Sequence, residues 1–545
     1  MPGTGAYNRR VRLDYDSLRA AFRWDIPERY NIASATVDRH AALRPNDAAL
    51  VFEDHLGAVT TFSFEDVRRA SNRLANLLAA QGLVRGDRVA ILLPQVPQTA
   101  VAHVAAYRSG LIAVPLFVLF GPDALEFRLA DSGARALITD VANWPKVAGL
   151  RDRLPDLRSV LVVGGEGVDG TLDYEREVAR GSGDFRTVDT AAEDPAIIVY
   201  TSGTTGPPKG ALHAHRFLLG HIPGVLLPHD FPPQPGDLFW TPADWAWIGG
   251  LYDVLFPAWH WGLPVLAHRA RQFDPGQAFD LMARHGVRNV FLPPTALKLM
   301  RRSGARPGPG FRLRSVGSGG ETLGAELLDW GREALGVTIN EFYGQTECNL
   351  IVSNSATIMP VRAGSMGRPV PGHEVAVIDE AGRHLPAGTT GEIAVHSPDP
   401  VMFLGYWNRP DATADKFVGE WMRTGDLGRA DEHGYLWYEA RTDDLITSGA
   451  YRIGPGEIED CLLRHPAVAM AAVIGVPDPI RTQSIKAFVV LAAGHLPSPA
   501  LTVDLQDHVR TRLAAHEYPR EIEYLEAMPL TATGKVMRRE LRARS

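Results

Sequence analysis

The chain has 545 residues, more than one domain usually holds, so at least two domains are expected. Hydrophobic residues make up 45% and charged ones 22%, an ordinary balance for a globular protein, and a net charge of -7 argues against the broad basic face that nucleic-acid binding needs. With Cys348 and Cys461 as the only cysteines, a disulfide framework is excluded and a reducing compartment is expected.

Residues 1 to about 46 read as a lead-in with one helix, Ser17 to Trp24. Arg9, Arg10 and Arg12 are interleaved with Asp14, Asp16 and Asp25, and no long apolar core follows. Neither a signal peptide nor an acid-poor transit peptide is expected. No later stretch suits a bilayer span either, which makes the cytoplasm the expected location. The segment Thr61 to Asp66 should open a helix running to Gln81, with Val67, Leu74, Leu77 and Leu78 as its apolar positions. From Arg88 the texture alternates. Apolar runs at 88–94, 111–117, 136–139, 159–163 and 196–200 read as buried strands separated by helical segments. That alternation implies a largely parallel sheet covered on both faces.

The run Ala196 to Tyr200 leads into Thr201-Ser202-Gly203-Thr204-Thr205-Gly206-Pro207-Pro208-Lys209-Gly210. Glycines allow the backbone to come close to a ligand, and free N–H groups with four hydroxyls can wrap an oligo-anion. Lys209 adds a movable point charge. The pattern suits nucleotide phosphates but is not the common P-loop, because Gly210 stands where a Ser or Thr should reach a metal. Only six of the 56 Lys and Arg residues are lysine, and two of those six, Lys209 and Lys535, sit in glycine-containing motifs. A compact ammonium is something arginine does not mimic.

Ala211 to Arg216 reads as the start of a helix, in which His213 and His215 are packing groups rather than metal ligands. The segment Phe239 to Gly250 is rich in tryptophan and ends in two glycines; it suits either plain core or the wall of an apolar ligand pocket. Strands are expected at 287–292 and 337–342, with a glycine cluster, Gly317 to Thr322, between them. The second strand runs straight into Tyr343-Gly344-Gln345-Thr346-Glu347. Ligands of open α/β sheets sit at the carboxyl ends of strands, and Glu347 is a hard oxygen donor suited to magnesium. From about Val361 the pattern becomes antiparallel, at 374–379, 391–396, 421–426 and 434–437. Arg441-Thr442-Asp443-Asp444 forms a charged break. Beyond it a separate α/β unit is expected, with helices near 456–464 and 503–514, strands near 468–475 and 484–491, and an exposed loop ending at Lys535.

Taken in order, Tyr-Thr-Ser-Gly-Thr-Thr-Gly-x-x-Lys-Gly, Tyr343-Gly-Gln-Thr-Glu347, Thr424-Gly-Asp426, Arg441-x-Asp-Asp444 and Gly534-Lys535 resemble the adenylate-forming superfamily over nearly the whole chain. The runs Tyr451 to Pro455 and Val476 to Arg481 resemble its medium-chain acyl-CoA synthetases. The resemblance implies an α/β fold: a large N-terminal domain (1–440) of doubly covered mixed sheets with a small β-barrel-like portion, then a small C-terminal α/β domain (441–545) on a hinge at Asp443.

It further implies ATP, magnesium and coenzyme A, and a two-step ligase reaction. A carboxylic acid, medium-chain or branched, attacks the α-phosphate of ATP, and the thiol of coenzyme A then displaces AMP. Thr201, Ser202, Gly203, Thr204, Thr205, Gly206 and Lys209 would hold the outer phosphates. Gly320, Glu321 and Thr322, with Glu341, Phe342, Tyr343, Gly344 and Gln345, would frame the adenine. Thr346 would contact the α-phosphate and Glu347 the metal. Asp426 would accept from the ribose hydroxyls beside Arg441, with Arg452 near the phosphates. Lys535 would bridge the carboxylate and the α-phosphate. Ser448, Gly449 and Ala450 would border the coenzyme A channel, and Trp245, Trp247, Gly249, Gly319 and Gly344 the acid pocket.

Two positions depart from relatives. Ala450 stands for a channel glycine, and Gly344 for the tryptophan that floors the acetate pocket of acetyl-CoA synthetases, so a longer acid is expected. The alternatives kept open are a short-chain or aryl acid ligase and an adenylating enzyme that loads a carrier protein. A non-enzymatic nucleotide-binding regulator is a third reading, disfavoured by the presence of both Glu347 and Lys535. A membrane span and a nucleic-acid partner are not expected, and a homo-oligomer stays an option.

Overall fold

A computed structural model describes the chain apart from residues 1–13, 167, 202–207, 271, 443, 445, 449–450, 479–481, 514–517 and 532–534, and the side chains of Thr447, Tyr451, Arg452, Glu457 and Thr482. The chain divides into two compact units. One runs to Glu374 and takes back Ser397–Asp415; the other takes Val375–His396 and Lys416–Ser545.

The first unit holds two large sheets. In the eight-stranded one, Arg88–Leu92, Ile112–Pro115, Ala136–Asp140, Ser159–Val163 and Pro195–Tyr200 are mutually parallel, as the buried apolar runs require. In the nine-stranded one, Phe239–Trp240, Val265–His268, Asn289–Phe291, Ser315–Gly319 and Ile339–Gln345 run parallel, and antiparallel strands close both edges. Two sheets therefore exist where the alternation alone suggests one kind of layer. The strands Ala48–Glu53 and Val59–Ser63 form one edge of the larger sheet. The expected helix opening at Thr61 thus starts later, at Phe64–Ala80, where Ser63 and Asp66 make a reciprocal capping box.

A second correction concerns the segment after the Ser/Thr/Gly loop. Gly210–Ala214 is a strand, antiparallel to Pro195–Tyr200, and the helix begins only at Phe217–Leu226. His213 and His215 lie fully buried there, and the His213 ring stacks on Phe217 with centroids 3.8 Å apart. Desolvation keeps both imidazoles neutral, pushing His215 down to about 3. The segments on either side of the loop therefore pair as antiparallel strands, not as a strand followed by a helix.

The second unit carries two five-stranded sheets. One contains Val375–Ile378, Gly391–His396, Phe417–Val418, Trp421–Ala430 and Leu436–Arg441, all antiparallel. The other contains Ile446–Ser448, Tyr451–Ile453, Val468–Asp478, Thr482–Leu491 and Glu521–Tyr524, with helices Pro455–Leu463 and Pro499–Arg512. The charged break near 441 is not merely solvated. Asp444 is buried and accepts from Arg542 at 2.7 Å, with Arg538 at 3.4 Å, both on the helix Arg538–Ala543.

Candidate active site

The Ser/Thr/Gly loop is closed at its neck by its own backbone. Thr201 donates through its N–H (2.9 Å) and its hydroxyl (3.3 Å) to the carbonyl of Lys209. Tyr200 and Gly210 pair directly below. A side chain at Gly210 would meet Ile198 at 2.6 Å, so only glycine lets the two arms of the hairpin close. Ser202, Gly203, Thr204, Thr205 and Gly206, expected to hold phosphates, lie outside the described residues. The Tyr200 hydroxyl donates to Asp131 (2.8 Å), which also takes Arg409 (2.7 Å) and anchors the hairpin from beneath.

Across from the neck lies the turn after Ile339–Gln345. Glu347 is 8% exposed, and its Oε1 accepts a hydrogen bond from the Tyr406 hydroxyl. The ammonium of Lys209 stands 5.1 Å from the centre of the Tyr406 ring. One tyrosine thus touches both the loop lysine and the turn carboxylate. Sequence reading missed Tyr406. The signal available was Gly405-Tyr406-Trp407, an aromatic pair after a glycine. Gly405–Tyr406 is a short strand on the hairpin's outer arm, and Thr413 Oγ1 fixes the Tyr406 N–H at 2.9 Å. Thr346 is half-buried beside Glu347.

The residues expected around the adenine divide into two kinds. Gly320, exposed with φ +94°, leaves backbone open to a ligand. Glu321 instead accepts from Thr295 (2.8 Å) and pairs with Lys298 (3.7 Å), and Glu341 accepts from the N–H of Leu323 (3.1 Å). Those carboxylates brace the glycine turn. Thr322, Tyr343 and Gln345 are half-buried near it, and Phe342 is 5% exposed.

At each of three expected acid-pocket glycines an added side chain would meet protein within 3 Å. A side chain at Gly249 would meet Phe291 at 2.8 Å, and one at Gly319 would meet Phe342 at 2.5 Å; these two rings lie 5.4 Å apart. A side chain at Gly344 would run into the backbone of Leu350 at 2.3 Å. In this conformation a tryptophan at 344 must displace the 349–350 backbone before it can fill any pocket. Trp247 is half-buried against Phe117 and Phe120, and Trp245 is 1% exposed.

In the second unit, Thr424-Gly425-Asp426 forms a bulge within the strand Trp421–Ala430. Gly425 has φ +76°, its N–H donates to Glu392 (2.8 Å), and the Thr424 hydroxyl donates to the Ile393 carbonyl (2.6 Å). Asp426, 4% exposed, accepts from Arg441 at 2.9 Å on the neighbouring strand. Lys535 is exposed, its N–H bonded to Thr531 Oγ1 at 3.0 Å. Ser448 ends a short strand; Gly449, Ala450 and the Arg452 side chain lie outside the described residues.

Sequence reading also missed a cavity of ≈ 290 Å³ in the first unit, at the carboxyl ends of Arg88–Leu92, Ala136–Asp140 and Val265–His268. Lys146, Arg269 and His268 line it, with Asp244 pushed up to about 7 by burial. Lys146 donates to the Val118 carbonyl and to Asn143 (3.0 Å) and forms no ion pair among the described residues. Two buried polar atoms on the wall, Gln95 Oε1 and Trp240 Nε1, lack hydrogen-bond partners among the described residues.

Against known proteins, a sequence model of the AMP-binding enzyme family matches residues 37–407, and one of the AMP-binding enzyme C-terminal domain matches 457–535. The rat protein named acyl-coenzyme A synthetase ACSM4, mitochondrial, is 34% identical over 544 residues, covering 97% of this chain and 93% of the relative. The acetyl-coenzyme A synthetase of Bacillus subtilis (strain 168) is 34% identical over 521 residues, covering 94% and 90%. Among solved structures, the anthranilate CoA ligase AuaEII in complex with anthranoyl-AMP superposes with a TM-score of 0.86 at 29% identity, covering 95% of this chain and 98% of that one.

Proposed function

The chain belongs to the AMP-binding enzyme family, as an AMP-forming acyl-CoA synthetase, and on that premise we propose that it activates a medium-chain or branched carboxylic acid. In the first step a carboxylate oxygen bonds to the α-phosphorus of ATP and the bond to pyrophosphate breaks. In the second the thiol of coenzyme A adds to the acyl carbon and AMP leaves. The protein's contribution is positioning and charge neutralisation.

The observation that carries this reading is the meeting of Lys209 and Glu347 on Tyr406 at the neck of the hydroxyl-rich hairpin. Lys209 would neutralise the outer phosphates. Magnesium, when bound with ATP, supplies further neutralisation, and the oxygen donors of Glu347 suit so hard a cation. Gly320 and the 343–346 turn would receive the adenine and α-phosphate, and Asp426 the ribose. A screen of carboxylic acids for ATP- and coenzyme A-dependent AMP release tests the assignment. No acid-dependent AMP from any of them would refute it, and AMP release indifferent to coenzyme A would favour a carrier-protein acceptor. Preference for benzoates over alkanoates would favour the aryl reading.

Coenzyme A brings phosphates of its own. The cavity is lined by Lys146 and by Arg269, which pairs with Asp140 at 3.7 Å, and we assign it to the nucleotide end of that substrate. Lys146→Ala should raise KM for coenzyme A about tenfold with KM for ATP unchanged, the size expected for losing one charge-assisted contact. An equal rise for both substrates would remove the assignment.

The division at 440/441 and the hinge at Asp443 are part of the same proposal. Asp443→Pro fixes φ, so adenylation should survive better than thioester formation. Equal loss of both half-reactions would count against a hinge there. Among the described residues no helix is long and apolar enough to cross a membrane. Both cysteines are free and buried, which supports a reducing, cytoplasmic setting.

A further inference from the structure

A carboxyl group that the adenylation chemistry does not use is buried in the first unit beside Gly249. Asp253 is 3% exposed and sits in Leu251–Leu255, one of three π-helical stretches among the described residues, a local winding found often at functional sites. Its Oδ1 accepts from Asn349 Nδ2 at 2.5 Å. Asn349 Nδ2 also meets His221 Nε2 at 3.2 Å, and His221 Nδ1 meets the Phe217 carbonyl at 2.8 Å. A carbonyl can only accept, so the proton is on Nδ1 and Nε2 accepts. Burial keeps this imidazole neutral, down to about 3. Both amide protons of Asn349 are then committed, one to His221 and one to Asp253. The chain from Phe217 through His221 and Asn349 holds the Asp253 carboxyl from one side only.

No described residue hydrogen-bonds to the other oxygen, Oδ2. It lies 3.6 Å from where a side-chain carbon on Gly249 would stand, and that same point is 2.8 Å from the Phe291 ring. A polar oxygen therefore adjoins apolar rings at the place a missing side chain leaves. Burial drives the carboxyl of Asp253 well above the ordinary carboxylate range, toward the acid form. With Oδ1 accepting from Asn349, the proton belongs on Oδ2, which becomes a donor in need of an acceptor.

We propose that Asp253 is a specificity-determining residue of the acid pocket, and that the acid activated here carries a hydroxyl or keto oxygen along its chain, bound by Asp253 Oδ2. The proposal rests on the acyl-CoA synthetase reading and on Gly249 lining the acid pocket. A site built to hydrogen-bond a substituent discriminates strongly against the analogue lacking it, because the buried group is then left unpaired.

The test uses the full-length enzyme and AMP release with coenzyme A. Hexanoate and octanoate are compared with their hydroxy and oxo derivatives, substituted at each carbon from the third outward. At least one substituted acid should exceed its parent about tenfold or more in kcat/KM. Asp253→Leu should reverse that order by raising turnover of the parent acid, and Asp253→Asn, which keeps a donor and an acceptor, should retain part of the preference. If every parent acid equals or beats its derivatives in the wild type, the proposal falls while the synthetase reading stands. It also falls if Asp253→Leu lowers parent and derivative alike, which marks a structural brace. Should Asp253→Leu not fold, the wild-type ranking together with Asp253→Asn decides. Absence of AMP from every acid would overturn the synthetase reading itself, and this proposal with it.

Discussion

Lys535→Ala should abolish acid-dependent pyrophosphate exchange, by a hundredfold or more, and still convert supplied acyl-AMP to acyl-CoA. The expected asymmetry comes from where charge builds up. Adenylation crowds a carboxylate against the α-phosphate, and a compact ammonium there offsets both. Attack of a thiol on an acyl carbon expels an AMP whose charge is already in place, so the lysine has less to contribute. Lys535 suits this use: it is exposed, and its N–H is tied to Thr531 Oγ1 at 3.0 Å, so the chain is anchored while the side chain reaches out. Lys535→Arg should recover little, because a planar fork does not occupy the place of a point charge. Both half-reactions can be followed separately with synthetic acyl-AMP. Equal loss of the two would make Lys535 a structural residue of the terminal loop.

The other large effect belongs to Asp426. Asp426→Ala should lower kcat/KM for ATP by roughly a hundredfold or more, since two hydrogen bonds from ribose hydroxyls to a carboxylate are lost at about 1.5–3 kcal/mol each. The strand bulge around it is built for one orientation. Gly425 at φ +76° is held by Glu392, Thr424 is held by the Ile393 carbonyl, and Arg441 fixes one oxygen of Asp426 at 2.9 Å. Removing the carboxylate also takes a partner from Arg441, so thermal unfolding has to be followed beside ATP binding by calorimetry. A lower unfolding midpoint with unchanged ATP affinity would show that Asp426 serves Arg441 and not the nucleotide.

Most of the strands were legible before any geometry. The runs at 88–92, 136–140 and 159–163 are apolar on both faces, and only a strand covered by helices on each side needs that. Gly210–Ala214 was misread as helical because Gly-Ala-Leu-His-Ala has too few residues to show a period. Its state was decided by pairing with Pro195–Tyr200, a contact across the loop that local propensity does not contain.

The same distinction runs through the site. By itself the sequence determined the motifs: the Ser/Thr/Gly loop with Lys209, the 343–347 turn, Thr424 to Asp426 and Lys535. Each is contiguous and chemically unusual, so short-range composition is enough to see it. The tertiary structure alone decided the partners. Tyr406 reaches Glu347 across 59 positions and Asn349 reaches Asp253 across 96. It also decided that Gly344 faces backbone at 350 and that Lys146 and Arg269 share a cavity. Such pairs are set by which strands neighbour one another in the two sheets, and strand order carries no local signature in the chain.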